Sequence, residues 1–286
     1  MSIIINNLSY TYMPGTPYAK RALEDISMEI QDGEILGIIG GTGSGKSTFV
    51  QHLNGLLKVQ SGSVWAYGVD LSVKKPDFKK VRSLVGMVFQ YPEYQLFEET
   101  VARDVAFGPK NQKKSAEEID LAVREAIAAV GLDYDTIAER SPYELSGGQK
   151  RRVALAGILA MKPKTLILDE PTCGLDPIGK REILNTLLKL KNTSVVETIV
   201  IISHDMDEIS AFADRIAVFY NSKLLCVKPT AELFKDPDFL LEVNLDVPVV
   251  AKLKIEMAKQ GVTVPENIIS PNDFVDYICK KVGKGI

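Results

Sequence analysis

The chain has 286 residues, 45% hydrophobic and 25% charged, the make-up of an ordinary globular protein that can bury roughly three quarters of its unfolded surface; disorder, collagen and a disulfide miniprotein are excluded. A formal net charge of −3 gives no broad positive field, so nucleic acid is not an expected partner. Cys173, Cys226 and Cys279 are odd in number, widely spaced and free of any C-x-x-C pair, which points to neither a disulfide framework nor a zinc site and suits a reducing compartment.

Residues 1–12 lack the basic start, apolar core and small-residue cleavage site of a secretory signal. The densest apolar stretches, 35–39 and 195–202, fall far short of the roughly 18 to 20 residues that cross a bilayer. Alternation of Ile26, Met28 and Ile30 with Ser27 and Glu29, repeated over 64–67, predicts half-buried strands of a small antiparallel layer. Residues 35–39, 84–89, 165–168 and 199–202 are continuous apolar runs that end in polar or glycine residues, the pattern of strands buried on both faces of a largely parallel sheet. Between the second and third runs, helical periodicity over 116–130 and 149–161 predicts a helical insertion spanning about 91–161. The pattern changes near Pro229, so the body is expected to end at 232 and a small α-helical unit to occupy 233–286. Its helices are predicted over 246–259 and 270–282, the second opened by Ser270, Pro271 and Asp273.

Gly40, Gly41, Thr42, Gly43, Ser44, Gly45, Lys46 and Ser47 fit G-x-x-x-x-G-K-[ST] between a predicted buried strand and a predicted helix over 47–57. Backbone N–H groups of such a loop curl around phosphate oxygens, Lys46 reaches the β and γ phosphates, the Ser47 hydroxyl can ligate Mg²⁺, and Thr48 completes the nucleotide-binding set. Asp169 and Glu170 end the third apolar run, where α/β sheets place their ligands. Successive side chains on a strand diverge, which predicts Asp169 for the Mg²⁺ shell and Glu170 as general base toward water.

Leu145-Ser146-Gly147-Gly148-Gln149 opens the helix that follows and resembles the signature motif of ATP-binding cassette (ABC) ATPases. The resemblance implies a RecA-like α/β fold and a head-to-tail dimer in which Ser146, Gly147, Gly148 and Gln149 cap the ATP held by the partner. It further implies that Gln90 senses Mg²⁺ and water, that Asp176 of Gly174-Leu175-Asp176 lies in the loop joining the two nucleotide sites, that His204 is the switch histidine at the γ-phosphate, and that Tyr12 stacks on adenine, with Tyr10 and Tyr18 as alternatives. His52 matches no family role and is read as structural.

The segments Tyr12-Met13-Pro14-Gly15-Thr16-Pro17, Phe89-Gln90-Tyr91-Pro92-Glu93-Tyr94-Gln95-Leu96-Phe97 and Phe107-Gly108-Pro109 are similar to those of energy-coupling factor (ECF) transporter ATPases, and the insertion Pro14-Gly15-Thr16-Pro17 and the run Tyr94-Gln95-Leu96-Phe97-Glu98-Glu99-Thr100-Val101 resemble the second of that family's paralogous ATPases. The implied partners are the paralogous ATPase, in a heterodimer, a transmembrane coupling subunit, and exchangeable membrane subunits that bind vitamins or ions such as cobalt and nickel. The implied location is peripheral, on the cytoplasmic face of the cell membrane. Alternatives are the ATPase of a conventional or dedicated metal-ion importer, or a non-transport ABC ATPase. Glu93, Glu98 and Glu99, beside Gln90, are read as an acidic patch able to receive a basic coupling helix.

Overall fold

The fold is described from a computed structural model covering residues 3–265, 268 and 271–282. In chain order, β1 (Ile3–Tyr12), β2 (Lys20–Ile30), β3 (Ile35–Gly40), α1 (Lys46–Leu53), β4 (Ser61–Ala66), β5 (Val69–Asp70), α2 (Phe78–Leu84) and β6 (Val85–Val88) form the first half of the body. The helical block follows as α3 (Val101–Asn111), α4 (Ala116–Ala129), α5 (Tyr134–Ile137) and α6 (Gly147–Leu159). The chain then returns through β7 (Thr165–Asp169), α7 (Pro177–Asn192), β8 (Thr198–Ile202), α8 (Met206–Phe212), β9 (Arg215–Tyr220) and β10 (Lys223–Pro229), and ends in α9 (Thr230–Leu233), α10 (Pro237–Glu242), α11 (Val249–Lys259) and α12 (Pro271–Val282).

The four apolar runs become neighbouring strands of a six-stranded sheet ordered β10-β9-β3-β8-β7-β6, while β2-β1-β4-β5 form a separate four-stranded sheet. Strands β9, β3, β8, β7 and β6 are mutually parallel, and β10 joins antiparallel to β9 at one edge. The second sheet is antiparallel throughout, so the α/β class, the antiparallel N-terminal layer and the helical insertion all appear as the patterning predicts.

The unbroken apolar runs follow from two cores, one on each face of the central sheet. Leu36, Ile38, Ile167, Val200 and Ile202 point into a core shared with the antiparallel sheet and with Phe49 and Leu53 of α1. Ile35, Ile39, Leu166, Leu168, Ile199 and Ile201 point into a second core shared with α3, α4, α6 and α7. Alternate residues on a strand face opposite ways, so burial on both faces leaves no polar register.

Several boundaries differ from the periodicity. Leu84 closes α2 and lies outside β6, and α2, β9 and β10 were not singled out by the patterning. Helix α1 stops at Leu53 rather than 57 because the Asn54 side-chain oxygen accepts the Leu56 N–H (3.1 Å), a local turn that competes with the helical ladder. Pro248 sets the start of α11. Pro271 and Asp273 stand in the first turn of α12, and Ser270 lies outside the described residues. On either side of the 232/233 junction the apolar residues share one core: Leu233, Phe234, Leu240, Leu245 and Val247 pack with α8 and β9. A separate cluster forms only beyond it, from Val250, Val264 and Ile268 with Met257, Phe274 and Tyr277.

Candidate active site

Strand β3 ends at Gly40 and α1 begins at Lys46, so the glycine loop is stretched between a buried strand and a helix N-terminus. A Cβ at Gly40 would strike the Phe219 carbonyl oxygen, and one at Gly45 the Ala22 carbonyl oxygen, with φ of +154° and +106° respectively. Only glycine meets both demands. The loop wraps tightly enough that the Ser44 hydroxyl is buried with no hydrogen-bond partner in the chain, the kind of orphaned donor that an anionic oxygen satisfies. Lys46 Nζ donates to the carbonyl oxygens of Gly40 (2.7 Å) and Gly41 (2.9 Å). Burial lowers the lysine pKa, opposed by the nearby carboxylates of Glu170 and Asp169.

Tyr12, Lys20, Gly43, Gly45, Ser47 and Thr48 line a pocket of about 190 Å³ at this loop. The Tyr12 hydroxyl bonds the Thr48 hydroxyl (3.1 Å) and its ring is partly exposed. Tyr10 instead packs edge-on against His52, centroids 4.8 Å apart, and Tyr18 is 80% exposed. Of the three tyrosines, Tyr12 is the one that lines the pocket. His52 is fully buried, its Nδ1 bonded to the Thr48 carbonyl oxygen (2.7 Å), and burial lowers its pKa, all in keeping with a structural residue.

Asp169 is the buried last residue of β7. Burial raises its pKa, and the opposing influences are a hydrogen bond from Ser47 and the positive charge of Lys46. Glu170 leaves the strand in the left-handed region, φ +50°, a strained conformation for a non-glycine residue. Its N–H is anchored to the Ile202 carbonyl oxygen (3.0 Å) at the end of β8. The twist aims its carboxylate at two donors: His204 Nε2 lies 2.9 Å from Oε1 and Gln90 Nε2 3.0 Å from Oε2.

The loop after β7 and the loop after β8 are laced together by residues that sequence reasoning did not single out. The Glu208 carboxylate accepts from Thr172 Oγ1 (2.8 Å) and Ser203 Oγ (3.1 Å), and Lys180 reaches Asp205 (3.0 Å) and Glu208 (3.4 Å). Arg151 and Tyr91 were likewise unassigned; Cys173, which the sequence reads as a small packed side chain with oxidation beside Asp169 and Glu170 as the rival reading, has its Sγ 3.4 Å from the Tyr91 hydroxyl and 3.6 Å from Gln90 Nε2. The hydroxyl two residues before Asp205 and the acid three residues after it were the only sequence signs, and they read equally well as a helix cap.

Gly41, Thr42 and the remaining loop residues therefore come together with Gln90, Asp169, Glu170 and His204 around the ends of β3, β6, β7 and β8. Ser146, Gly147, Gly148 and Gln149 line neither the Tyr12 pocket nor the cavity beside Glu170 and His204. Ser146 caps α6, with its hydroxyl accepting the Gln149 N–H (3.3 Å) and the Gln149 side chain returning to the Ser146 N–H (3.0 Å). Asp176 caps α7 by accepting the Gly179 N–H (2.7 Å). The acidic patch is smaller than its sequence suggests: Glu93 is drawn inward onto Arg151 (2.8 Å) and Glu99 pairs with Arg103, which removes Glu93 from any docking surface.

Among the described residues no cluster of three His, Cys, Asp or Glu could cage a metal ion. Mg²⁺ does not need one, since it keeps waters and takes a carboxylate and phosphate oxygens. The hydrogen-bonded Ser47 and Asp169 oxygens suit that ion, whereas Gln90 is engaged with Glu170 and Cys173.

Residues 23–173 match the model of the ABC transporter family. The chain is 48% identical over 98% of its length, and 97% of the relative's, to the energy-coupling factor transporter ATP-binding protein EcfA2 of Caldanaerobacter subterraneus subsp. tengcongensis. Among solved structures it is similar to cbiO1 from Clostridium perfringens, described as part of the ABC transporter complex cbiONQ, with TM-score 0.73, 38% identity, and coverage of 88% of this chain and 97% of that one. It is also similar to the ATP-binding cassette MJ0796, solved as a dimer in a post-hydrolysis state with ADP and Pi, with TM-score 0.70, 28% identity, and coverage of 80% and 98%. With a glycine loop, paired strand-end acids, a signature turn and these relatives, the chain is an ATP-binding ABC transporter ATPase and belongs to the energy-coupling factor transporter ATP-binding proteins.

Proposed function

We propose that this chain binds ATP at its glycine loop, closes head-to-tail on a paralogous ATPase, and passes the closing and reopening motion to a transmembrane coupling subunit and to exchangeable membrane subunits that bind vitamins or metal ions. The observation that carries the reading is the Glu170 carboxylate, held at both oxygens by His204 and Gln90 (2.9 and 3.0 Å) one residue beyond Asp169.

In-line attack on a γ-phosphate needs positioning and charge neutralisation more than covalent chemistry. Lys46 neutralises the terminal phosphates, the loop N–H groups hold them, and Tyr12 gives the adenine a face. Ser47 and Asp169 would hold Mg²⁺, which supplies charge neutralisation at the phosphate oxygens when bound. Glu170 takes the proton from the attacking water, and His204 and Gln90 fix the direction of its carboxylate. Ser146, Gly147, Gly148 and Gln149 present a helix N-terminus to the partner's nucleotide, and Asp176 holds the start of α7 in the loop between the sites.

Among the described residues no helix is long and apolar enough to cross a membrane, so attachment at the cytoplasmic face rests on the partners. Tagged Glu170→Gln protein, purified with ATP and Mg²⁺ from detergent-solubilised membranes, is expected to bring down a second, non-identical ATPase, one coupling protein and several small membrane proteins. Recovery of self-pairs with one dedicated permease would replace the shared-module reading with a dedicated importer.

A further inference from the structure

Gln90 follows β6 and Glu170 follows β7, and although those strands are hydrogen-bonded neighbours, their loops leave the sheet without a ladder to hold them together. A single buried side chain bridges them from a third element. Arg151, on α6 and 4% exposed, grips Glu93 bidentately along one edge, with Nη2 donating to Oε1 (2.8 Å) and Nε to Oε2 (3.1 Å). Its remaining arm, Nη1, donates to the carbonyl oxygens of Pro171 (3.0 Å) and Cys173 (2.9 Å). One guanidinium thus fixes the segment just after Gln90 and the segment just after Glu170, and between those two tethers the side chains of Gln90 and Glu170 meet at 3.0 Å.

We propose that Arg151 is a positioning residue for hydrolysis, setting the separation of Gln90 and Glu170 through its simultaneous hold on Glu93 and on the 171–173 backbone; this rests on the reading above that Glu170 is the base. The geometry requires a planar fork. A lysine at 151 keeps the charge but is a point donor that cannot serve the carboxylate bidentately and two carbonyls as well. The role differs from simple support of the fold because its effect on turnover passes through the Gln90 and Glu170 contact.

The test is a double-mutant cycle on the full chain in its assembled transporter, with Arg151→Lys, Gln90→Ala and the pair. Arg151→Lys is expected to lower kcat about 10- to 100-fold, the scale of a small misplacement of reacting groups, while the ATP concentration for half-maximal rate changes less than about threefold. In the Gln90→Ala background the same substitution is expected to cost less than about threefold, since the contact it serves is already gone. Wild-type turnover by Arg151→Lys, or an undiminished loss in the Gln90→Ala background, would overturn the proposal. If Arg151→Lys fails to assemble, Glu93→Gln leaves the guanidinium and its carbonyl bonds in place and is held to the same non-additivity. Normal turnover by Glu170→Gln in the same assay would instead sink the underlying assignment of the base.

Discussion

His204 Nε2 lies 2.9 Å from Glu170 Oε1, and this contact closes a ring that the sheet begins, because the Glu170 N–H already bonds the Ile202 carbonyl oxygen (3.0 Å) two residues before the histidine. Backbone and side chain together fix the carboxylate despite its left-handed residue, φ +50°. The strain is held by hydrogen bonds to backbone and side chain together, as left-handed non-glycine residues require of their surroundings.

Replacing Glu170 by glutamine keeps the shape and the Gln90 and His204 neighbours but removes the proton acceptor. Turnover by the assembled ATPase is expected to fall about 10²- to 10⁴-fold, with ATP binding retained. Because His204 acts through the same carboxylate, His204→Ala should cost far less in the Glu170→Gln background than in the wild type. Steady-state rates and bound-nucleotide analysis of the three variants check both statements.

Burial raises the pKa of Asp169 against the pull of Ser47 and Lys46, which makes its charge a liability for stability when no nucleotide is bound. A group with a raised native pKa stabilises fully below its unfolded value, and that contribution is lost as pH rises through the native value. Asp169→Asn should therefore melt higher than wild type at pH 7, with the gap closing as pH falls toward the ordinary aspartate value of about 3.9. With Mg²⁺ and ATP present the order should reverse, since the wild type, with its Asp169 carboxylate available to the ion, gains more binding free energy than the variant. Thermal melts at several pH values with and without the ligand decide it.

Ser146 caps α6 and, on the proposed head-to-tail pairing, also faces the partner's nucleotide. Ser146→Ala loses the cap on α6 and should cost about 1 kcal/mol of stability, read from a denaturant midpoint. On the proposed pairing, Ser146→Arg places bulk and charge in the path of the partner's nucleotide, so the paired ATPase should lose most of its turnover while this chain's own glycine loop still binds ATP with an affinity within about threefold of wild type.

Truncation should reveal where the C-terminal unit begins. A chain ending at residue 248 keeps Leu240, Leu245 and Val247 in the main core and is expected to fold and bind ATP. A chain ending at 235 strips those side chains away, at a cost on the order of 2 to 5 kcal/mol for each large one, and should melt far lower or aggregate. Equal melting temperatures for the two would show that residues 236–248 are dispensable to the body.

Much of this protein is local and was therefore legible in its residues. The glycine loop announces itself because a phosphate cradle needs glycine where the backbone turns, and Gly40 and Gly45 sit where a Cβ would meet a carbonyl oxygen. The continuous runs announced the central strands because both faces of the sheet are covered. What sequence could not supply was the pairing of distant side chains: that Glu93, which reads as a surface acid, turns inward to Arg151 (2.8 Å), and that Glu208 ties Thr172 to Ser203 (2.8 and 3.1 Å). A polar residue's partner across long sequence separation leaves no periodicity, and only the packing of sheet and helices decided that Arg151, Glu93 and the backbone beyond Glu170 would meet in one place.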